Sequence, residues 1–308
     1  MKSFKQSKIY LTIGDFYNYL LSKFFPVMAS KKKYKAIFGR KLDLNNPTTF
    51  NEKLMFLKLK KYWNNPNTAV FADKYAVRQY VKDCGCEEIL TKLYGVYKNA
   101  KDIEWEKLPN QFAIKCNHGS GYNIVCRDKT NFNKDEASKK LNKWLKETYG
   151  IQFVEQGVYK KIQRRILAEE FIKTSDGSAP KDYKFFCSYG KVLFLFVASE
   201  RVDGDAKFDY FEPDWTHINV KNRFENAISI EKPKNLKKMI EYAEKLSKPF
   251  PMVRIDLYSE NDSIYFGEIT LTHFGCLNTF EPDEYDYIFG SRFPDAQALK
   301  DFKTYDKK

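Results

Sequence analysis

The chain has 308 residues, 43% of them hydrophobic and 17% aromatic, with only 14 glycines and 11 prolines. That composition provides a core for one large domain or two to three interleaved lobes, and it excludes a low-complexity or disordered chain. A formal charge of +13 favours an anionic partner, but the lysines are spread along the whole chain without an arginine stripe, RNP-like motif or zinc-finger spacing, so nucleic acid is not expected.

Residues 9–28 form the first apolar stretch, yet Asp15, Asn18 and Lys23 interrupt it and no cleavage site follows. Neither a secretory signal nor a membrane span is expected, which points to the cytoplasm. Phe16, Tyr17, Leu20, Leu21, Phe24 and Phe25 recur at helical spacing, with Lys31, Lys32, Lys33 and Lys35 just behind them. Such a helix either packs on its own domain or rests peripherally on the anionic inner face of a membrane. Over 51–82, Leu54, Leu57 and Tyr62, then Ala72, Tyr75, Ala76 and Tyr80, predict two helices joined at Asn65-Pro66, with Thr49 or Asn51 as the first cap and Glu52 in the opening turn. No catalytic signal stands out there.

Past Leu108-Pro109, the runs 112–116 and 124–126 read as two strands around a glycine-containing loop, followed by a helix over 134–149. Residues 166–172, 183–188 and 192–198 predict strands, the last two joined by Tyr189-Gly190-Lys191. A helix over 235–246 precedes a final hairpin over 252–271. Strands and helices mix without strict alternation, so the fold class is α+β. Six scattered cysteines (Cys84, Cys86, Cys116, Cys126, Cys187, Cys276) match no common zinc spacing and are expected as reduced thiols.

Chemistry concentrates in three places. In the final hairpin, a turn centred on Asp262 would oppose Asp256 to Glu268 and Arg254 to Thr270, all four on one face, with Val253, Ile255, Leu257, Ile269 and Leu271 on the other. Two carboxylates facing each other at that range repel, and a hard divalent cation such as magnesium relieves them; a solvated hairpin rim is the plain alternative. Lys115 lies in an otherwise apolar strand before Asn117-His118-Gly119-Ser120-Gly121, a loop whose amides could cover phosphate, although the order is not that of a P-loop. Third, Glu169-Glu170-Phe171-Ile172 and Asp182-Tyr183-Lys184 embed acids among apolar residues, where an adenine amino group or ribose hydroxyls would satisfy them, as would water along an edge strand.

The order of lysine strand, glycine loop, E-E-F-I segment and terminal Arg-x-Asp with a later Glu resembles the ATP-grasp superfamily. Thr48-Thr49-Phe50-Asn51-Glu52-Lys53, Ala72-Asp73-Lys74-Tyr75-Ala76-Val77-Arg78, Lys115-Cys116-Asn117-His118-Gly119-Ser120-Gly121, Asp182-Tyr183-Lys184 and Gly267-Glu268-Ile269-Thr270 resemble the TupA-like ATP-grasp family of bacterial surface-polysaccharide clusters. The resemblance implies two α+β lobes gripping ATP: a helical N-terminal region over 1–100, a small lobe with the lysine strand and glycine loop over 101–165, and a large lobe with hinge and metal site over 166–308. It implies that Lys115, Gly119, Ser120 and Gly121 hold the phosphates, with His118 beside them, that Glu169, Glu170, Phe171 and Ile172 meet adenine, partly through backbone groups, and that Asp182 takes the ribose. By the same resemblance Asp256 and Glu268 would be magnesium ligands, and Thr270, standing where the superfamily has Asn, would be the third metal position. Arg254 would steady an acyl phosphate, and Lys184 would lie near the transferred phosphate.

The activity implied is ATP-dependent joining of an amino acid or amino alcohol to a uronic acid of a capsular or cell-wall polysaccharide, through an acyl phosphate. Two other enzymes of such a pathway stay open: a sugar kinase, and a glycosyltransferase, for which Asp203-Gly204-Asp205 has the D-x-D form but sits in a glycine-containing turn that reads as a solvated loop. A glycan- or membrane-binding protein would bind no nucleotide.

Overall fold

In a computed structural model, residues 13–174, 179–199, 206–227 and 229–304 are described, so the Asp203-Gly204-Asp205 motif and residues 9–12 lie outside the described residues. Helices α1 (Ile13–Phe24) and α2 (Pro26–Phe38) form a hairpin, with Pro26 in the first turn of α2 and Gly39 ending it in the left-handed conformation. Thr49 caps α3 (Phe50–Phe56) through a reciprocal box with Glu52, and the helix continues as one wide π segment, Leu57–Tyr62. The second expected helix is instead two, α4 (Pro66–Ala72) and α5 (Val77–Asp83). Asp73 divides them, because its carboxylate accepts from the amides of Tyr75 (2.8 Å) and Ala76 (3.2 Å) and so competes with the helical ladder.

Strands β1 (Leu93–Tyr97), β2 (Phe112–Cys116), β3 (Asn123–Cys126) and β4 (Ile166–Glu169) form an antiparallel sheet in the order β1-β4-β2-β3. One face of β2 and β4, with Phe112, Ile114, Cys116, Ile166 and Ala168, packs against Leu141 of α6 (Lys134–Trp144). The alternate residues Ala113, Lys115 and Glu169 therefore point away from that core. The sheet draws β1 from before residue 101 and β4 from after residue 165, so its strands span 93–169.

After the short helix α7 (Gln156–Tyr159), a six-stranded antiparallel sheet holds β5 (Asp182–Ser188), β6 (Lys191–Ser199), β7 (Lys207–Phe211), β8 (His217–Ile218), β9 (Val253–Glu260) and β10 (Ser263–Thr270), in the order β10-β9-β5-β6-β7-β8. Helix α8 (Leu236–Ser247) covers β5, β6 and β9, and α9 (Tyr285–Ser291) and α10 (Ala296–Asp301) follow the hairpin. The N-terminal helices share this sheet's core: the Phe50 ring lies 5.4 Å from Phe186. Asn51 bonds Asn278 and Asp286, and the buried ammonium of Lys53 caps the carbonyls of Gly290 (2.8 Å) and Phe293 (3.1 Å). Among the described residues, no helix is long and apolar enough to cross a membrane.

Candidate active site

The inner face of the small sheet carries an ion pair. Register places Glu169 opposite Ala113, one step along the same face from Lys115, and the two side chains meet. Thr91 adds a longer hydrogen bond to the other Glu169 oxygen (3.4 Å). The Glu169 carboxylate is thus held by protein groups, while Glu170 is fixed by its amide donating to Lys92 O (2.8 Å) and by its carboxylate accepting from the Lys92 amide (3.1 Å).

Asn117, fully buried, is the clasp behind the glycine loop. Its amide donates to Asp73 (2.7 Å) and Gln163 O (2.9 Å), and its carbonyl oxygen accepts from Arg165 N (2.7 Å). Its backbone oxygen accepts from Lys74 N (3.1 Å), which pins the Asp73 turn to the loop. A Cβ on Gly119 would come within 2.7 Å of the Tyr149 ring, so the close passage of loop and ring requires glycine there. The expected placement of His118 beside the phosphates is not found: the side chain is buried, its Nε2 donates to Trp144 O (3.1 Å), and burial, then Arg164, lowers its pKa. It packs under the loop, where that carbonyl holds Nε2.

The large sheet brings the acidic pair together through a register change. At the hairpin tip, Ser263 opposes Glu260 and Phe266 opposes Leu257 across Asn261 and Asp262, both at positive φ (50° and 62°). That pairing would not set Glu268 against Asp256. A bulge between Phe266 and Glu268 shifts the ladder by one residue, after which Glu268 opposes Asp256 and Thr270 opposes Arg254. Gly267 makes the bulge, since a Cβ there would meet the Asp256 carbonyl oxygen at 2.9 Å.

Arg254 is the hub of this face. Its Nε donates to Asp256 Oδ1 (2.6 Å), and its Nη2 to Asp256 Oδ2 (2.7 Å), Glu268 Oε1 (3.1 Å) and Thr270 Oγ1 (2.9 Å). Its Nη1 donates to His273 Nδ1 (2.5 Å), and burial, then Arg254, drives the pKa of His273 well below its ordinary value, so the imidazole is neutral. On β5, Lys184 opposes Asp256 and pairs with it and with Asp182 (2.6 Å). Glu268 also meets Lys74 (3.2 Å) and accepts from Thr270 (2.8 Å). Burial works against its charge, but Lys74, Arg254 and Lys184 together hold its pKa well below the usual carboxylate range.

The two faces enclose a cavity of about 620 Å³. The small-sheet side contributes Lys115, Ser120, Gly121 and residues 169–172; the large-sheet side contributes Asp182, Lys184, Arg254, Asp256 and Glu268. Toward β6 and β7 its floor turns apolar, with Phe196, Ala198 and Phe208, which suits a flat heterocycle beside a charged end. Gly119 and Thr270 do not line it; both line a neighbouring cavity. The oxygen donors fit magnesium. Asp256 and Glu268 offer two carboxylates from facing strand positions, and the remaining positions would be left to ligand oxygens. Thr270 gives its hydroxyl proton to Glu268 and so acts as the orienter of that carboxylate.

Two antiparallel sheets closed on one cavity, with a lysine strand on one side and a carboxylate hairpin on the other, define an ATP-grasp protein. The family model for TupA-like ATP-grasp proteins matches residues 52–294, and the chain belongs to that family. Solved structures with a similar fold include L-amino acid ligase from Bacillus licheniformis (14% identity, TM-score 0.46, 79% of this chain and 54% of that one). D-alanine–D-alanine ligase from Bacillus anthracis (18%, 0.40, 66% and 57%) is another. A third is N5-carboxyaminoimidazole synthetase from Staphylococcus aureus complexed with ADP (12%, 0.41, 66% and 45%). The chain thus spans about half the length of each of these proteins. No curated protein matches it.

Lys74 is the residue that sequence reasoning passed over. It lines the cavity from a region without catalytic signal, and contacts distant in sequence bring it there: Asp73 and the Lys74 amide on Asn117, and its ammonium on Glu268.

Proposed function

We propose that the protein is an ATP-dependent carboxylate–amine ligase that activates its acceptor as an acyl phosphate. The observation that carries this reading is the convergence of Lys115, Lys184, Arg254, Asp256 and Glu268 on one cavity of about 620 Å³ between the two sheets. Lys115, on the small sheet, and Lys184, on the large one, supply point charges to phosphate oxygens. Residues 170–172 and the Phe196–Phe208 floor receive the base, and Asp182 takes the ribose. Asp256 and Glu268 would hold magnesium, which when bound neutralises phosphate charge and orients the terminal group.

A carboxylate oxygen then bonds to the γ-phosphorus as the bond to the β–γ bridging oxygen breaks, and ADP leaves with that electron pair. An amine next bonds to the acyl carbon and loses a proton, while the carbon–oxygen bond breaks and phosphate departs. Positioning and charge carry the first step, and no Ser or Cys nucleophile is needed. Arg254, bound to Asp256, Glu268, Thr270 and His273, fixes the two carboxylates.

The acceptor in this reading is a uronic acid of a capsular or cell-wall glycan, and the amine is an amino acid or amino alcohol. A cytoplasmic site at the inner face of the membrane fits the α1–α2 corner, where Phe24 (61% exposed), Phe25 (59%) and Met28 (56%) stand beside Lys31 and Lys32. Incubation with magnesium, ATP, uronic acids and hydroxylamine tests the activity: ADP and a hydroxamate are expected, whereas AMP and pyrophosphate would refute it.

A further inference from the structure

The neighbouring cavity, of about 600 Å³, shares Lys74, Ser120, Arg254, Gly267, Glu268 and Phe274 with the nucleotide cavity. Lys115, Glu169, Asp182, Lys184 and Asp256 do not line it, so a nucleotide held by those residues leaves it open.

Its acids are committed, as is Arg254, whereas Arg223, Lys33 and Lys74 keep donors to spare. Glu155, only 4% exposed, accepts from Thr272 (2.5 Å), and Glu268 is shared by Lys74 and Arg254. Arg223, open to solvent on one side, lies with its guanidinium carbon 4.4 Å from the Phe274 ring centre and 5.0 Å from that of Phe224. Those rings hold it in place, and among the described residues it has no carboxylate partner. Lys33 of α2 is partly buried and likewise unpaired among the described residues; burial, Lys58 and Lys32 all lower its pKa. Lys74 spends one contact on Glu268, and an ammonium has three donors. The wall thus gains from an anion, and it has cations on it before any ligand arrives. The rings of Tyr149, Phe153 and Tyr159, with the amide of Gln152 and the hydroxyl of Thr279, supply flat apolar faces beside hydrogen-bonding groups. A hydroxylated ring uses both.

We infer that this second cavity seats the carboxylate acceptor, a hydroxylated organic acid, and that Lys74, on the wall common to both cavities, draws its carboxylate against the terminal phosphate of the nucleotide. This rests on the ligase reading of the first cavity. It makes Lys74 a catalytic residue, one that touches the attacking carboxylate, and gives α2 a part in binding through Lys33, Ala36 and Ile37.

Calorimetric titration of the magnesium–ADP-loaded protein with D-glucuronate, glucose 1-phosphate and glucose tests it without turnover. Glucuronate binds with ADP retained, and glucose binds at least about tenfold more weakly. Lys74→Met weakens glucuronate by about tenfold or more while ADP affinity moves less than about threefold. Ala36→Trp, a change at an exposed α2 position lining only the second cavity, blocks glucuronate and spares ADP. The inference is overturned if ADP binds and glucuronate does not, if glucuronate displaces ADP, or if glucose 1-phosphate is preferred. Equal loss of both affinities in Lys74→Met, which a merely structural lysine would give, also overturns it. Failure of magnesium–ADP to bind strikes the ligase reading instead.

Discussion

Glu268→Gln separates a structural carboxylate from a working one. In the fold, Glu268 faces Asp256 across the hairpin and is balanced by Lys74 at 3.2 Å and Arg254 at 3.1 Å. Glutamine keeps the length and one oxygen for Thr270 and Arg254. It loses attraction to two cations and also relieves repulsion from Asp256, so the contributions oppose each other. With the Glu268 side chain 32% exposed and Lys74 19%, the lost pairing is screened, and the net stability change should stay within about 1 kcal/mol. Because its pKa is depressed in the fold, the stability Glu268 contributes is present above its unfolded pKa of about 4.3 and declines only as pH falls below that. At neutral pH the melting temperature should therefore move by about 2 °C or less. Turnover should fall far more. Removing one preorganised group that stabilises charge costs about 10²–10³ in kcat, or roughly 3–4 kcal/mol. ADP release and hydroxamate formation, followed over a magnesium series beside a melting curve, give both numbers. A variant that keeps wild-type turnover and magnesium dependence refutes the metal-holding role.

Lys115→Met should weaken ATP binding by about tenfold or more and leave Glu169 without its ion-pair partner; unchanged nucleotide affinity in a binding titration would count against the phosphate role. Gly267→Ala forces a Cβ to within 2.9 Å of the Asp256 carbonyl, so it should cost about 1–3 kcal/mol in denaturant unfolding and lower activity by shifting Glu268 off register; a neutral result would show that the bulge is not required. Glu155 has its pKa raised to about 7, first by burial and then by Glu268, against the lowering by Lys58 and Thr272. Its unfolded form ionises from about pH 4.3 while the folded form still holds its proton, so stability falls between about pH 4.3 and 7 by roughly 4 kcal/mol. Glu155→Gln should remove that slope from the difference between the two proteins' unfolding curves, and parallel curves would refute it.

The carboxylate hairpin was readable because alternation is local: once 252–271 is a hairpin, the apolar set on odd numbers forces Arg254, Asp256, Glu268 and Thr270 to the other face. The expected turn centre at Asp262 nevertheless differs from the structure. The tip pairs in a register one residue off, and the Gly267 bulge restores the expected pairing at the site. A glycine within a strand is the usual mark of a bulge, and here it was the only local sign of one. Strands β1, β7 and β8 were not anticipated; they are short segments of two to five residues whose pairing is set by distant partners such as Glu169 for Leu93.

What local reading could not reach is set by contacts distant in sequence. His118 looked like a phosphate neighbour because it lies in the glycine loop, but the Trp144 carbonyl, 26 positions on, decides where it points. Lys74 lay in a stretch read as helical, and the structure breaks that helix where Asp73 meets Asn117. Asn117 in turn ties the segment around Arg165, so one buried amide holds three stretches of chain at the point where the two cavities meet. That contact positions the Lys74 ammonium, and the carboxylate hairpin supplies its partner in Glu268.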